Sequence, residues 1–311
     1  MSERFPFPIP NGWFQVEWSH ELKPGESKPL RYFDQDLVLF RGEDGTAHLL
    51  DAFCPHLGAH LGHGGRVEGN EIVCPFHAWR FDGSGSCSGI PYAKKIPRRA
   101  SLKKWTIVER NGMIIAWHHS GGEPPLWEVP TFSELGDDDW SEPDYRQWTV
   151  GTCNQEMAEN AVDTAHFFYL HGTAQMPTTQ AEIIDKHTLH VTSQTVMDTK
   201  HGPVPGQIDV YEYGFGLNTT RFTGLVETFL MSSNTPIDKN SCDLRFTFVV
   251  KKFGNKDITR GIGRAYVKEI SRQLEQDIPV WENKVYLDRP VILREDGPIG
   301  IFRIWALDQY T

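Results

Sequence analysis

Two short cysteine–histidine segments constrain this chain more than any other feature. The first is Cys54-Pro-His56 and the second is Cys74-Pro-Phe-His77, with 17 residues between them. Each segment supplies one thiol and one imidazole to a shared site. A zinc site can use the same residue types, but structural zinc sites usually open with two cysteines two to four residues apart. The spacing therefore favours another metal centre, with a zinc-binding interaction module as the alternative.

One cysteine and one histidine from each of two loops suit a [2Fe–2S] cluster in which one iron binds both cysteines and the other binds both histidines. The motif resembles that of the Rieske proteins. Respiratory-chain Rieske proteins carry a further cysteine on each loop, and here those positions correspond to Ala59 and Phe76. The resemblance is therefore to the ferredoxin and oxygenase branch. The cluster ligands that it implies are Cys54, His56, Cys74 and His77.

Length and composition limit what else the chain can be. A chain of 311 residues has room for two domains, and 39% hydrophobic with 23% charged residues is typical of globular proteins. No apolar run approaches the roughly 20 residues of a membrane helix, and the N-terminus has no signal-peptide core. Five cysteines are too few for a disulfide scaffold, and a net charge of −10 argues against nucleic acid. We therefore expect a cytoplasmic protein without a membrane span.

Hairpin patterns dominate the N-terminal third of the chain. The strongest is the Asn111-Gly112 turn, which lies between two runs rich in β-branched and aromatic residues. These patterns predict an all-β domain over residues 1–119. Residues 120–146 are rich in proline, glycine and acidic residues, which predicts a linker.

Residues 147–311 are predicted to form a second domain that mixes helices and strands. A helix is expected from Gln155 to Leu170, and strands are expected from about residue 188 to 253. A second helix is expected from Ile262 to about Ile278, where Pro279 should end it.

The first predicted helix carries a second candidate metal site. Asn160, Asp163 and His166 recur every three residues and so share one helix face. His171 lies five residues beyond His166, about 140° around an ideal helix. Both histidines can bind one ion only if the helix distorts or ends between them, and Gly172 makes an end there reasonable. Two imidazoles and a carboxylate suit Fe(II) with open positions for O2, whereas two histidines alone could be ordinary polar residues of a helix end.

The pattern Asp163-x-x-His166-x-x-x-x-His171, downstream of a Rieske motif, resembles the signature of Rieske non-haem iron oxygenases. The resemblance covers nearly the whole chain. It implies mononuclear Fe(II) held by His166, His171 and a carboxylate of the last long helix. Asp277 corresponds most closely to that carboxylate, with Glu275 and Glu282 as the alternatives.

The same resemblance implies the architecture and the partners. The fold should be α+β, with an N-terminal Rieske domain and a catalytic domain in which helices flank an antiparallel sheet in a helix-grip arrangement. A homotrimer is implied, in which Asp163 bridges its own iron ligand and a cluster ligand of a neighbouring subunit. Asn160 resembles a further residue beside the iron ligands. O2 is the oxidant, and electrons come from NAD(P)H through a separate ferredoxin or flavin reductase. A Rieske electron carrier remains a non-enzymatic alternative.

The C-terminal region narrows the resemblance. The segments Asp277-Ile-Pro-Val-Trp281, Asp296-Gly-Pro298 and Phe302-Arg-Ile-Trp305 are similar to the oxygenase component of 3-ketosteroid 9α-hydroxylases and to sterol 7-desaturases. This implies hydroxylation of a hydrophobic polycyclic, steroid-like substrate. Desaturation of a sterol, or dihydroxylation or O-demethylation of a smaller aromatic, are the alternatives.

Overall fold

The computed structural model describes residues 4–199, 202–254 and 256–311; for residues 197–199 and 256–258 it describes the backbone only. These residues divide into two compact units. One comprises residues 13–118 and 122–125, and the other comprises 4–12, 119–121 and 126–311. The predicted linker, residues 120–146, is divided between them: residues 122–125 belong to the smaller unit, and residues 120, 121 and 126–146 belong to the larger one.

The smaller unit is built from short antiparallel strands. They pair in three sheets with the orders β1-β10-β9, β2-β3-β4 and β5-β6-β7-β8. Apolar side chains from several of these strands form a core that includes Cys54 and Cys74. The strands are β1 (Gly12–Trp18), β2 (Ser27–Tyr32), β3 (Gln35–Arg41), β4 (Ala47–Asp51), β5 (Arg66–Glu68), β6 (Glu71–Val73), β7 (Arg80–Asp82), β8 (Cys87–Gly89), β9 (Ile107–Arg110) and β10 (Met113–His118).

The larger unit is organised around a seven-stranded sheet. The strand order is β11-β17-β16-β15-β14-β13-β12, and every neighbouring pair is antiparallel. Its strands are β11 (Asp144–Val150), β12 (Thr178–Ile183), β13 (Thr188–Thr199), β14 (Gly202–Tyr213), β15 (Leu217–Thr223), β16 (Thr228–Asp238) and β17 (Ser241–Val250). Its helices are α1 (Asn154–Glu159), α2 (Ala165–Tyr169), α3 (Lys256–Asn283) and α4 (Ile299–Leu307).

Helices cover one face of this sheet. Val267, Leu274 and Trp281 of α3 pack on apolar side chains of β11, β16 and β17. Phe302 and Trp305 of α4 pack on β13, β14 and α1. Alternate residues of each strand point to this face, so the sheet and its helices enclose a shared interior. The predicted α+β fold with an antiparallel sheet and flanking helices is confirmed.

Two predicted helices differ from the structure. The segment predicted as one helix from Gln155 to Leu170 is interrupted, because Asp163 has an extended backbone with ψ 109° between two helical pieces. Helix α3 continues beyond Pro279 to Asn283, so the prediction that it ends at Pro279 is wrong. The extra turn is held by Arg4, whose guanidinium donates hydrogen bonds to the carbonyls of Trp281 and Lys284. A cation at a helix C-terminus satisfies carbonyls that lack helical partners.

Among the described residues, every helix is too short or too polar to cross a bilayer.

Candidate metal centres

The two cysteine–histidine segments form loops with the same backbone pattern. In the first, the N–H of Gly58 donates to the carbonyl of Cys54, and the N–H of Cys54 donates to Ala59, both at 2.9 Å. In the second, the N–H of Ala78 donates to the carbonyl of Cys74 at 3.1 Å, and the N–H of Cys74 donates to the carbonyl of Trp79 at 2.8 Å. Gly58 and Ala78, four residues after each cysteine, both have positive φ. The repeated turn places the two cysteines equivalently, whereas the histidines differ, because His56 follows its cysteine by two residues and His77 follows its cysteine by three.

The loops bring the four side chains of the motif together. Cys54 and Cys74 are each 2% exposed, and the rings of His56 and His77 have centroids 4.6 Å apart. The Nδ1 atoms of both histidines are buried and make no hydrogen bond to any described residue. Burial raises the pKa of the Cys54 thiol to about 11, so a thiolate there needs a nearby positive charge. Two unpartnered imidazole nitrogens beside two buried thiols fit a [2Fe–2S] cluster.

Trp79 closes one side of this candidate cluster site. Its indole stacks on the His56 ring at 4.7 Å with an interplanar angle of 9°, and its Nε1–H donates to the hydroxyl of Tyr92 at 2.8 Å. His60 lies in the first loop as well, but its Nδ1 atom accepts a hydrogen bond from the N–H of Gly62. This nitrogen is therefore already engaged, unlike the Nδ1 atoms of His56 and His77.

In the larger unit, His166, His171 and Asp277 offer ligand atoms that all lie within 4.8 Å of one another. The Nε2 atom of His171 is 3.4 Å from Oδ1 of Asp277, and both side chains are under 10% exposed. The alternatives are placed differently, because Glu275 is exposed and Glu282 accepts a hydrogen bond from the N–H of Gly151. Among the described carboxylates considered, Asp277 is thus the one that lies close to both histidines, and it is also the one that the family resemblance indicates.

The end of helix α2 allows both histidines to reach one point. The helix stops at Tyr169, and the N–H of His171 turns back to the carbonyl of His166 at 3.2 Å. Gly172 then has φ +73°, a conformation that glycine adopts without strain. His171 is therefore turned away from the position that a continuous helix would give it.

Hydrogen bonds orient the three candidate ligands. Nδ1 of His166 lies 2.7 Å from the carbonyl oxygen of Asp163, which leaves its buried Nε2 without a partner among the described residues. Nδ1 of His171 lies 3.2 Å from Oε1 of Gln276, and Asp277 accepts a hydrogen bond from Asn160 at 3.4 Å. Contacts of this kind fix the ring that a metal ligand presents. The donor set and the unpartnered Nε2 atom fit a mononuclear iron.

Asp163 occupies the break in the helix. Its carboxylate accepts hydrogen bonds from the N–H groups of Ala165 at 3.1 Å and His166 at 3.4 Å, so it also caps α2. Burial opposes ionisation of Asp163, but the hydrogen bonds and the charge of His166 outweigh it and lower the pKa of the carboxyl. The side chain is 39% exposed and is therefore accessible from outside this unit's interior.

The candidate iron site opens into a cavity between the sheet and the helices. Its lining is mostly apolar, with contributions from Phe167, Leu230 and Phe246, and it includes the three candidate ligands. Two residues that the sequence analysis missed belong to this region: Gln276, beside His171, and Glu212, on the sheet. An acid in register with Ile208 and Val210, on the apolar side of a strand, is a sequence signal for Glu212.

Comparisons with known proteins agree with both halves of this architecture. Residues 12–106 match the Rieske [2Fe-2S] domain family, and residues 116–310 match the 3-ketosteroid 9alpha-hydroxylase C-terminal domain family. Together with the fold and the two candidate sites, these matches define a Rieske-type oxygenase, an oxidoreductase. The chain belongs to the 3-ketosteroid 9α-hydroxylase family of Rieske oxygenases, which confirms the resemblance seen in the sequence.

Individual relatives extend over almost the whole chain. A 3-ketosteroid-9-alpha-monooxygenase oxygenase component from Rhodococcus rhodochrous is 33% identical over 96% of this chain and 83% of its own length. A cholesterol 7-desaturase from Ciona intestinalis is 31% identical over 97% of this chain and 69% of its own. The crystal structure of dicamba monooxygenase bound to dicamba has a TM-score of 0.78 at 19% identity, covering 96% of this chain and 97% of that one. At this identity it shows a shared fold.

Proposed function

We propose that this protein is the terminal oxygenase component of a multicomponent system that hydroxylates a hydrophobic, steroid-like substrate. The observation that carries the proposal is the apolar cavity that contains His166, His171 and Asp277 on its wall. Relatives named for 3-ketosteroids and for cholesterol support a polycyclic substrate over a small aromatic one. In the overall reaction, one oxygen atom of O2 enters a C–H bond and the other is reduced to water.

The proposed roles of the residues follow from their positions. Cys54, His56, Cys74 and His77 hold the [2Fe–2S] cluster, and His166, His171 and Asp277 hold the mononuclear iron. When bound, this iron supplies the O2 chemistry. Gln276 and the backbone of Asp163 keep the imidazole rings in place, and Asn160 steadies Asp277. The apolar walls of the cavity bury the substrate and exclude water from the reacting carbon.

Electrons reach the cluster, in this proposal, from NAD(P)H through a separate ferredoxin or flavin reductase. The name of the Rhodococcus relative, an oxygenase component, supports such a division of labour. All five cysteines are free, which is consistent with a reducing compartment such as the cytoplasm.

We further propose a homotrimer in which Asp163 connects the iron site to the cluster of a neighbouring subunit. The surface around Asp163 supports this arrangement, because it exposes large apolar side chains. Tyr169 is 78% exposed, Val280 is 49% exposed and Val291 is 93% exposed, and all three line a depression that also contains Asp163. A cluster of exposed apolar side chains is typical of a surface that binds another protein.

Sterol desaturation is the second candidate, favoured by the cholesterol 7-desaturase relatives. A panel of 3-ketosteroids, sterols, aromatic acids and methoxyarenes, assayed with reductase and O2 and read by mass spectrometry, separates the candidates. Hydroxylation adds one oxygen to the substrate mass, whereas desaturation removes hydrogen. Turnover of a small aromatic acid, with no response to any steroid or sterol, would contradict the proposed substrate class.

A further inference from the structure

Glu212 is a carboxyl group buried in the wall of the cavity. It lies in β14 on the face that also presents Ile208 and Val210 to the cavity, and it is 2% exposed. The candidate iron ligands come from the helical side of the cavity, whereas Glu212 comes from the sheet. A substrate that fills the cavity therefore has Glu212 and the iron ligands on different walls.

A polar row crosses the sheet at this point. The register pairs Glu212 of β14 with Asn218 of β15, and Asn218 with Ser232 of β16. The Ser232 hydroxyl donates to Oδ1 of Asn218, so the amide nitrogen is the group of Asn218 that can donate to Glu212; this interaction lowers the pKa of the Glu212 carboxyl, against the larger effect of burial. The row ends at Oε2 of Glu212, which is buried and has no hydrogen-bond partner among the described residues.

The surroundings of Glu212 favour the neutral acid. No lysine or arginine is among the described residues that line the cavity, so a carboxylate there would be a buried charge without a counter-ion. Burial raises the pKa of Glu212 to about 8, which agrees with this argument. A protonated carboxyl whose other oxygen accepts from Asn218 has its O–H free to donate.

We propose that Glu212 is a substrate-binding residue that donates a hydrogen bond from Oε2 to a carbonyl oxygen of the substrate, held in that role by Asn218. This inference rests on the proposed function, because it assumes an apolar ring system in the cavity. It adds which residue recognises a ketone of the substrate, and that this ketone lies at the end of the molecule that faces the sheet. A buried donor without a partner discriminates against ligands that lack an acceptor.

The test compares three steroids that differ at one carbon: 5α-androstan-3-one, 5α-androstan-3β-ol and the parent hydrocarbon 5α-androstane. Their dissociation constants are measured on the holoenzyme by equilibrium dialysis, with the free steroid quantified by mass spectrometry. The variants are Glu212→Gln, which keeps an N–H donor of similar shape, and Glu212→Met, which has no donor. Glu182→Met, an exposed glutamate of β12, is the matched control.

Wild-type protein and the Glu182→Met control should bind the ketone about tenfold more tightly than the hydrocarbon. Glu212→Gln should keep most of this preference, and Glu212→Met should reduce it to about twofold or less without weakening hydrocarbon binding. With turnover of the ketone, the loss in Glu212→Met should be in KM rather than in kcat. A general packing defect would instead weaken all three ligands equally.

An equal preference for the ketone in wild-type protein and Glu212→Met would overturn the inference and leave the proposed function standing. Tighter binding of the alcohol than of the ketone, lost in Glu212→Gln, would also overturn it, because Glu212 would then accept as a carboxylate. If wild-type protein binds none of the three steroids, the proposed steroid-like substrate class fails and the inference fails with it.

Discussion

The predicted role of each cysteine and histidine of the motif as a cluster ligand can be tested separately. Replacing Cys54, His56, Cys74 or His77 by alanine should abolish the visible absorption of the cluster, because each side chain is predicted to bind iron directly. His60→Ala is the control, since this histidine is engaged within its own loop. Retention of the full absorption spectrum in any one of the four variants would remove that residue from the ligand set.

Asp277 completes the two-histidine, one-carboxylate set that suits Fe(II), whereas two histidines without it could be ordinary polar residues. Asp277→Ala should leave the cluster spectrum unchanged while mononuclear iron and turnover are lost. Glu275→Ala should keep both, because Glu275 is exposed on the same helix. Iron analysis and product formation measure the difference, and the opposite pattern would move the assignment to Glu275.

Asp163 is predicted to carry electrons between subunits as well as to cap α2. Asparagine can also cap a helix, so Asp163→Asn should preserve the helix start and both metal centres. It removes the charge, and reoxidation of the pre-reduced cluster during a single turnover with substrate and O2 should slow by at least about tenfold. Reoxidation at the wild-type rate would contradict the bridging role.

The sequence predicts those parts of the candidate sites that depend on local spacing. Cys54 and His56, or Asp163 and His166, are close in the chain, so their geometry follows from one loop or one helical turn. Asp277 could be named only through the family resemblance, because nothing local connects it to His171. Alternation indicates that Glu212 lies on the apolar face of its strand, but its alignment with Asn218 and Ser232 depends on the register of three strands, which alternation does not determine.

At the scale of elements, the end of α2 determines where His171 lies. Gly172→Ala should destabilise the protein by about 1 kcal/mol, because alanine is strained at φ +73° although its methyl group would meet no atom within 4 Å. Gly261→Ala, at an exposed position inside α3, should instead stabilise by roughly 0.5–1 kcal/mol. Urea unfolding followed by circular dichroism measures both changes. Destabilisation of similar size in both variants would argue against a special role for Gly172.

Long-range contacts override two local signals in this unit. Proline usually ends a helix, yet α3 continues past Pro279 because Trp281 packs in the core and Arg4 binds the terminal carbonyls. The periodicity of residues 155–170 is helical throughout, yet the chain breaks at Asp163, where Thr164 donates its N–H to the carbonyl of Asp296 at 2.8 Å. Neither contact can be inferred from the segment that it alters.

At the scale of the whole molecule, the proposed trimer would bury the exposed apolar surface around Asp163 between subunits. The native mass should be about three times the 35.5 kDa of the chain, as measured by light scattering coupled to size-exclusion chromatography. Val291→Glu places a charge on the most exposed of these side chains and should shift the population toward monomer. Leu225→Glu, at an exposed residue between β15 and β16 that is not part of this depression, tests whether added charge alone has this effect. A wild-type monomer that turns over at full rate would contradict the trimer.

The central claim is that one chain holds both a [2Fe–2S] cluster and a separate mononuclear iron. Quantification of iron, zinc and acid-labile sulfide in protein purified without oxygen tests it most directly. The account predicts about three iron atoms and about two sulfides per chain, with Asp277→Ala losing about one iron and no sulfide. About two iron atoms in both proteins would indicate an electron carrier, and zinc without sulfide would indicate a zinc module. Either result would contradict the account.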